Sequence, residues 1–269
     1  MSINETYEAL RTLKLDGMAD VFAELAAQNA KAPLDPTQWV SHMVEREKSI
    51  QDARRLQSRL RASRLRHADA TMDNVDFTAE RTLDRAGFEA LRGGAWIETH
   101  RTVLMSGPCG VGKSFLACAL GHEACKYGKS VLYFRMPQLF AELANAKQVG
   151  TYDRLFNKIK RTDVLILDDW GTDLMTAAQR RDLMEIVDAR YVRKSTVITS
   201  QLPFDKWYDI IADPTLADAI LDRLVHQAYR FDLTGVSMRK APVDVKKDIP
   251  SAKPSFGRLL SKPAHPANS

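Results

Sequence analysis

The chain has 269 residues, 45% of them hydrophobic and 27% charged, with a formal net charge of +5. That length can bury a full core, and it suggests one large domain with an appendage. No apolar run reaches 18 residues, and Met1-Ser2-Ile3-Asn4-Glu5 lacks a basic region followed by an apolar stretch, so neither a membrane span nor export is expected; Cys109, Cys118 and Cys125 form no C-x-x-C pair and are odd in number, which points to a reduced, cytoplasmic setting.

Residues 4–30 carry apolar side chains at helical spacing (Tyr7, Leu10, Leu13, then Met18, Phe22, Leu25), with Gly17 as the expected break. Asp35 or Thr37 can start a second helix, with Pro36 tolerated in its first turn and Trp39, Met43, Ile50 and Leu56 sharing a face. Its second half is basic. Between Arg46 and Arg66, eight Arg or Lys residues meet only Glu47 and Asp52, although residues 1–90 as a whole hold 13 basic against 15 acidic residues. A solvated helix face and a surface for nucleic acid or an acidic partner both fit that cluster, with Arg54, Arg55 and Arg59 as candidate DNA contacts. Residues 1–70 therefore form an expected all-helical amino-terminal domain. Residues 71–100 read as a linker whose Phe77, Leu83, Phe88 and Leu91 can tuck against the following domain.

From Thr102 the elements alternate between strands and helices, which implies a mainly parallel sheet covered on both faces and an α/β domain over residues 101–240. An apolar strand at 102–106 leads into Gly107-Pro108-Cys109-Gly110-Val111-Gly112-Lys113-Ser114, a match to G-x-x-x-x-G-K-[ST], and a helix follows from Ser114 through Phe115 to Lys126. The glycines let backbone N–H groups converge on phosphate oxygens at the positive end of that helix. Lys113 is placed to reach the β- and γ-phosphates of ATP, and the Ser114 hydroxyl to bind Mg²⁺. A strand at 130–134, a helix from Pro137 and a short helix at 152–159 come next. Asp163-Val164-Leu165-Ile166-Leu167-Asp168-Asp169 then has the form of a Walker B strand. Asp168 is the expected Mg²⁺ partner. Asp169, projecting to the other side if side chains alternate, is the candidate to orient or deprotonate the attacking water. A helix at 177–192 and a strand at 195–201 follow. Residues 241–269 hold five prolines and five basic against two acidic residues, and read as a disordered basic tail that supplies +3 of the net charge.

GPCGVGKS, VLYFRMPQLFAEL, VLILDDWG, TVITSQLPFDKW and AILDRLVHQAYRFDLTG stand in an order and at a spacing that resemble the IstB-type transposition helper ATPases, relatives of the DnaC-type helicase loaders within the AAA+ class; the likeness covers roughly residues 5–240. The resemblance implies a P-loop AAA+ core preceded by a small helical domain. Ser200 and Gln201 resemble sensor 1, which contacts the γ-phosphate or the attacking water. Arg223 resembles an arginine finger inserted into a neighbouring subunit's site, with a surface pair to Asp218 or Asp222 as its structural alternative. Arg239 resembles a sensor 2 arginine, although no helical lid is evident after Gly235. Lys147, Lys158 and Lys160 lie where this branch is expected to track the DNA backbone, which implies largely sequence-independent binding. ATP and Mg²⁺ as cofactors, a ring or spiral of identical subunits, DNA, and a transposase held by the amino-terminal domain complete the implied picture. A replicative helicase loader is the near alternative. A P-loop small-molecule kinase, which needs an arginine-bearing lid not evident between Asp169 and Ser200, and a scaffold that binds ATP without hydrolysing it are more distant.

Overall fold

The computed structural model describes residues 1–28 and 35–238. The tail at 241–269 and Arg239 lie outside the described residues.

The amino-terminal region forms three helices, α1 (Ile3–Thr12), α2 (Asp16–Gln28) and α3 (Pro36–Ser63). A reciprocal capping box starts α1: Ser2 Oγ accepts from the Glu5 N–H, and the Glu5 carboxylate accepts from the Ser2 N–H at 2.7 Å. Asp35 caps α3 through the Thr37 N–H at 3.2 Å, and Pro36 occupies the first turn, where its missing N–H costs nothing. The chain breaks between α1 and α2 at Lys14, whose φ is 61°, and not at Gly17 as the sequence suggested. Gly17 lies inside α2 and serves a different purpose. A β-carbon there would stand 2.7 Å from the backbone of Glu47 on α3, and its N–H donates to Glu47 Oε2 at 2.7 Å. The glycine lets two helices meet backbone to backbone, and the buried Glu47 carboxylate fixes their register.

Residues 71–100 hold two short helices, α4 (Arg85–Glu89) and α5 (Ala95–Glu98). Phe88, Leu91, Trp96 and Ile97 from this stretch are buried in the main core, with Phe77 and Leu83 packed against them. The sheet comprises β1 (Val103–Ser106), β2 (Val131–Arg135), β3 (Val164–Trp170), β4 (Ser195–Ser200) and β5 (Tyr229–Asp232), all parallel, in the order β2-β3-β4-β1-β5. The connecting helices are α6 (Lys113–Lys126), α7 (Met136–Gln148), α8 (Tyr152–Arg161), α9 (Ala177–Arg190), α10 (Trp207–Ile211) and α11 (Pro214–Val225).

Alternation along the strands sorts the core into two layers. Val103, Met105, Ile166 and Val197 face α6, meeting Leu116 and Leu120, while Leu104, Leu165, Leu167 and Ile198 face Leu139 and Leu143 of α7 and Leu183 and Ile186 of α9. Each such fully buried side chain contributes about 1.5–3 kcal/mol relative to exposure. The strand order reverses direction at β1, so the loop after β1 and the ends of β3 and β4 border one crevice at the carboxyl edge of the sheet.

A strap closes over that edge. Arg81 and Gly235 form an antiparallel bridge, the Thr82 N–H donates to the Thr234 carbonyl at 2.9 Å, and the Met238 N–H donates to the Gly110 carbonyl at 2.9 Å. The opposite edge is tied by Arg190, only 2% exposed, whose Nη1 donates to the carbonyls of Ile159 (2.7 Å) and Thr162 (2.8 Å), and whose Nη2 donates to that of Ser195.

Gly17→Ala should destabilise the helical region by about 1–3 kcal/mol, because the added methyl group has backbone against it that cannot yield. Denaturant unfolding followed by helix signal checks this; an unchanged midpoint would mean that α2 and α3 do not pack this closely.

Candidate nucleotide-binding site

The turn after β1 is set by steric exclusion. Gly107 has φ 140°, and a β-carbon there would lie 2.0 Å from the Leu233 carbonyl oxygen, so the turn is compatible only with glycine. The chain then curves through Pro108 and Cys109, both exposed, past Gly110 and the buried Val111, and enters α6 with Gly112 as its N-cap. The first backbone N–H groups of α6 have no helical partner and, with the helix dipole, favour an anion at this point. Lys113 turns back across the loop, its ammonium donating to the carbonyls of Gly107 (2.6 Å) and Pro108 (2.8 Å). Phe115 is half-buried on the next turn, with its ring centroid 6.0 Å from that of His67. Arg81 braces the loop from the strap, donating to the Val111 carbonyl at 2.8 Å and to the Asp76 carbonyl at 2.9 Å.

Asp168 is completely buried and joins three elements through hydroxyl donors. Ser114 Oγ on α6 donates to its Oδ1 at 2.9 Å, Thr199 Oγ1 on β4 donates to the same oxygen, and the Tyr133 hydroxyl on β2 donates to Oδ2. Burial, reinforced by the Asp168 carboxylate, pushes the Tyr133 pKa far above its ordinary value, so this hydroxyl stays protonated and remains a donor. Arg66, from the segment after α3, brings its Nη1 to 3.7 Å from Asp168 Oδ2.

Asp169 leaves the strand geometry that simple alternation assumes. The β3–β4 register steps from Leu167↔Ile198 to Trp170↔Ser200, three residues against two, so a bulge falls on Asp168-Asp169. Asp169 has φ 60°, and Trp170 faces the same core layer as Leu167. The two adjacent carboxylates are consequently placed by the bulge. The Asp169 N–H donates to Thr199 Oγ1 at 3.3 Å, and its Oδ2 accepts from Arg135 Nε at 2.8 Å, an interaction that raises the Arg135 pKa.

Other sequence candidates stand elsewhere. The Ser200 hydroxyl points to the opposite layer, donating to the Trp170 carbonyl at 3.0 Å and accepting from the Leu202 N–H, and Gln201 is exposed just beyond the strand. Arg223 sits on α11 at the other edge of the sheet, where its Nε donates to Asp188 Oδ1 at 3.1 Å, its Nη1 donates to the Ala219 carbonyl, and its guanidinium lies over the Tyr191 ring. Its acidic partner is thus Asp188 and not Asp218 or Asp222. Arg54 pairs with Asp16, Arg55 stands 3.7 Å from Asp52, and Arg59 donates to the Cys125 carbonyl at 3.2 Å. Lys147 pairs with Asp182 and covers the Tyr152 ring, while Lys158 and Lys160 are exposed on α8, whose Ile159 is buried.

Thr199, Tyr133 and Arg135 escaped the sequence reading. Alternation held the signal for Thr199, since it shares the inward face of Val197 and so lies opposite to Ser200. Arg135 is paired in register with Asp168, which only the strand order shows.

Tyr133→Phe should destabilise the fold by about 1.5–3 kcal/mol, because one oxygen of a buried carboxylate loses its hydroxyl donor. Chemical unfolding checks this; an unchanged stability would show that the hydroxyl contributes nothing to holding Asp168.

Residues 8–244 match the family described as IstB-like ATP binding protein. An insertion sequence ATP-binding protein of Sinorhizobium fredii is 49% identical over 240 residues, covering 89% of this chain and 98% of its own length. The insertion sequence IS21 ATP-binding protein of Pseudomonas aeruginosa is 32% identical, with coverage of 92% and 95%. Among solved structures, DnaI (TM-score 0.53, 23% identity, 64% of this chain and 91% of that one) and the DnaC helicase loader (0.52, 20%, 61% and 96%) share the fold. By the extent of these matches, the chain belongs to the IstB-like ATP-binding protein family.

Proposed function

We propose that this chain is an ATP-hydrolysing, DNA-binding regulator of transposition that assembles with copies of itself and recruits or activates a transposase. The observation that carries the enzymatic half is the 2.9 Å contact between Ser114 Oγ and Asp168 Oδ1 beside the cradle of Lys113. A hydroxyl and one carboxylate, both oxygen donors, suit Mg²⁺, which keeps several waters and takes its remaining ligands from phosphates. Among the described residues no cluster of three or more His, Cys, Asp or Glu side chains could hold a metal unaided, which accords with a cation that arrives with nucleotide. Ser114 and Asp168 would hold that ion, which when bound neutralises charge on the transferred phosphoryl group. Backbone N–H groups between Gly107 and Phe115, Pro108 excepted, and the Lys113 ammonium hold the phosphates. Asp169, steered by Arg135, orients the attacking water, with Thr199, Ser200 and Gln201 bordering the same strand end.

Assembly is supported by where Arg223 lies. It stands beside Asp188 at the edge of the sheet opposite its own cradle, so in this reading it acts on the nucleotide of another copy, where such an arginine is worth ~10³–10⁵ in rate. Names of the relatives associate them with insertion sequences, which supports a transposase as the protein partner. Among the described residues, Lys158 and Lys160 project from a packed helix with no ion pair to their ammonium groups, whereas Arg54, Arg59 and Lys147 also hold the fold together.

Lys113→Ala and Arg223→Ala should each lose hydrolysis alone and regain it when mixed. At equal ratio roughly a quarter of interfaces join an intact cradle to an intact arginine in a head-to-tail assembly. Steady-state phosphate release measures this, and no recovery at any ratio would remove Arg223 from catalysis. Replacing Lys158 and Lys160 together with Gln should reduce the slope of log affinity for duplex DNA against log salt by about 2. An unchanged slope would take α8 off the DNA surface.

A further inference from the structure

The segment that follows α3 runs beside the cradle, and it is anchored on both sides of Arg66. Arg64, the C-cap of α3, has φ 58°, lies over the Phe134 ring of β2 and pairs with Glu142 at 3.2 Å. Leu65 packs into the main core against α6, so closely that a β-carbon on Gly121 would stand 2.9 Å from its Cδ2. His67 meets the Phe115 ring, and Ala70 is completely buried. Between these anchors the Arg66 side chain reaches Asp168 while remaining 42% exposed. Its backbone is held in place, and its guanidinium stays open to a ligand.

The contact with Asp168 leaves donors to spare. Arg66 Nη1 stands 3.7 Å from Oδ2, which is ion-pair distance but longer than an N–H···O hydrogen bond. The carboxylate already accepts from three hydroxyls, Ser114 and Thr199 on Oδ1 and Tyr133 on Oδ2. It therefore needs Arg66 as a counter-charge more than as a hydrogen-bond donor. A guanidinium carries five N–H groups in a planar fork that suits phosphate oxygens.

Position decides which phosphate this is. Ser114 and Asp168 are the residues that would hold the cation, and a cation so held bridges the β- and γ-oxygens of ATP. The terminal phosphate consequently belongs beside Asp168, the carboxylate that Arg66 already attends. ADP has no group there.

We propose that Arg66 is a further residue of the nucleotide site, donating to the terminal phosphate of ATP and so carrying the difference between ATP and ADP into α3. The proposal rests on the ATP and Mg²⁺ reading of the cradle given above. Arg66 follows the end of α3 by three residues, and α3 leads back to Glu47, whose carboxylate accepts from Gly17 on α2. A phosphate held by Arg66 is thereby connected to helices that contribute nothing to the cradle.

Calorimetric titration of a non-hydrolysable ATP analogue and of ADP, each with Mg²⁺, into the full chain tests this in wild type, Arg66→Gln and Lys113→Ala. Arg66→Gln, whose fold is checked by circular dichroism, is expected to weaken the analogue roughly 10–100-fold, the scale of one hydrogen bond to a charged group, and ADP by less than about twofold. Equal weakening of both nucleotides, or tighter binding of the analogue, makes Arg66 a counter-charge to Asp168 only and overturns the proposal. Lys113→Ala is expected to weaken both nucleotides; undiminished binding in that variant overturns the reading of the cradle itself. Amide hydrogen exchange in wild type needs no variant to fold. The last turn of α3, residues 60–63, is expected to exchange more slowly with the analogue than with ADP, and equal rates with the two nucleotides overturn the proposal.

Discussion

A fully buried carboxylate is tolerable only when its oxygens are met by donors, and Asp168 meets that condition with three hydroxyls drawn from three different elements. Ser114 begins the helix after the phosphate cradle, Tyr133 belongs to a strand on one side, and Thr199 to the strand on the other. The carboxylate is therefore a structural fastener before it is a chemical group. It locks the cradle to the sheet in a position where a cation arriving with nucleotide would meet an oxygen pair already assembled. The Arg66 guanidinium, 3.7 Å away, adds a contact from the segment that follows the long amino-terminal helix. One charge thus links the helical region, the cradle and two strands.

The bulge beside it explains how adjacent aspartates acquire different surroundings. An unbroken strand would send Asp169 into the opposite core layer, where Leu167 and Trp170 pack. The inserted residue and the left-handed φ keep its carboxylate at the strand end, within reach of Arg135. Asp is among the few residues other than glycine that accept that conformation at modest cost. The same residue type satisfies both the backbone geometry and the chemistry proposed for it.

Much of the fold was legible because parallel strands buried on both faces read as continuous apolar runs, and the helices between them keep their own period. The cradle was legible because its glycines, lysine and serine answer a local steric and electrostatic need. What escaped depends on long-range placement. Gly17 looked like a helix breaker because nothing local says that Glu47 will approach it, and Thr199 stayed unnoticed beside Ser200 because only the facing strand fixes which side turns inward. The arginines of the long helix drew attention as charge, yet Arg54 and Arg59 are engaged with Asp16 and a backbone carbonyl far away in sequence. Local pattern reports what an element is; it does not report what that element leans on.

The strap over the cradle gives the molecule a mechanical character. The segment that enters the core around Arg81 and the segment that leaves it at Met238 are bridged to each other, and each is hydrogen-bonded directly to the loop at Val111 or Gly110. A pull applied through either segment is delivered to the phosphate loop before it reaches the sheet. The loop after β1 is thus the point where the two ends of the core are knotted together, and a load on one end is felt there first.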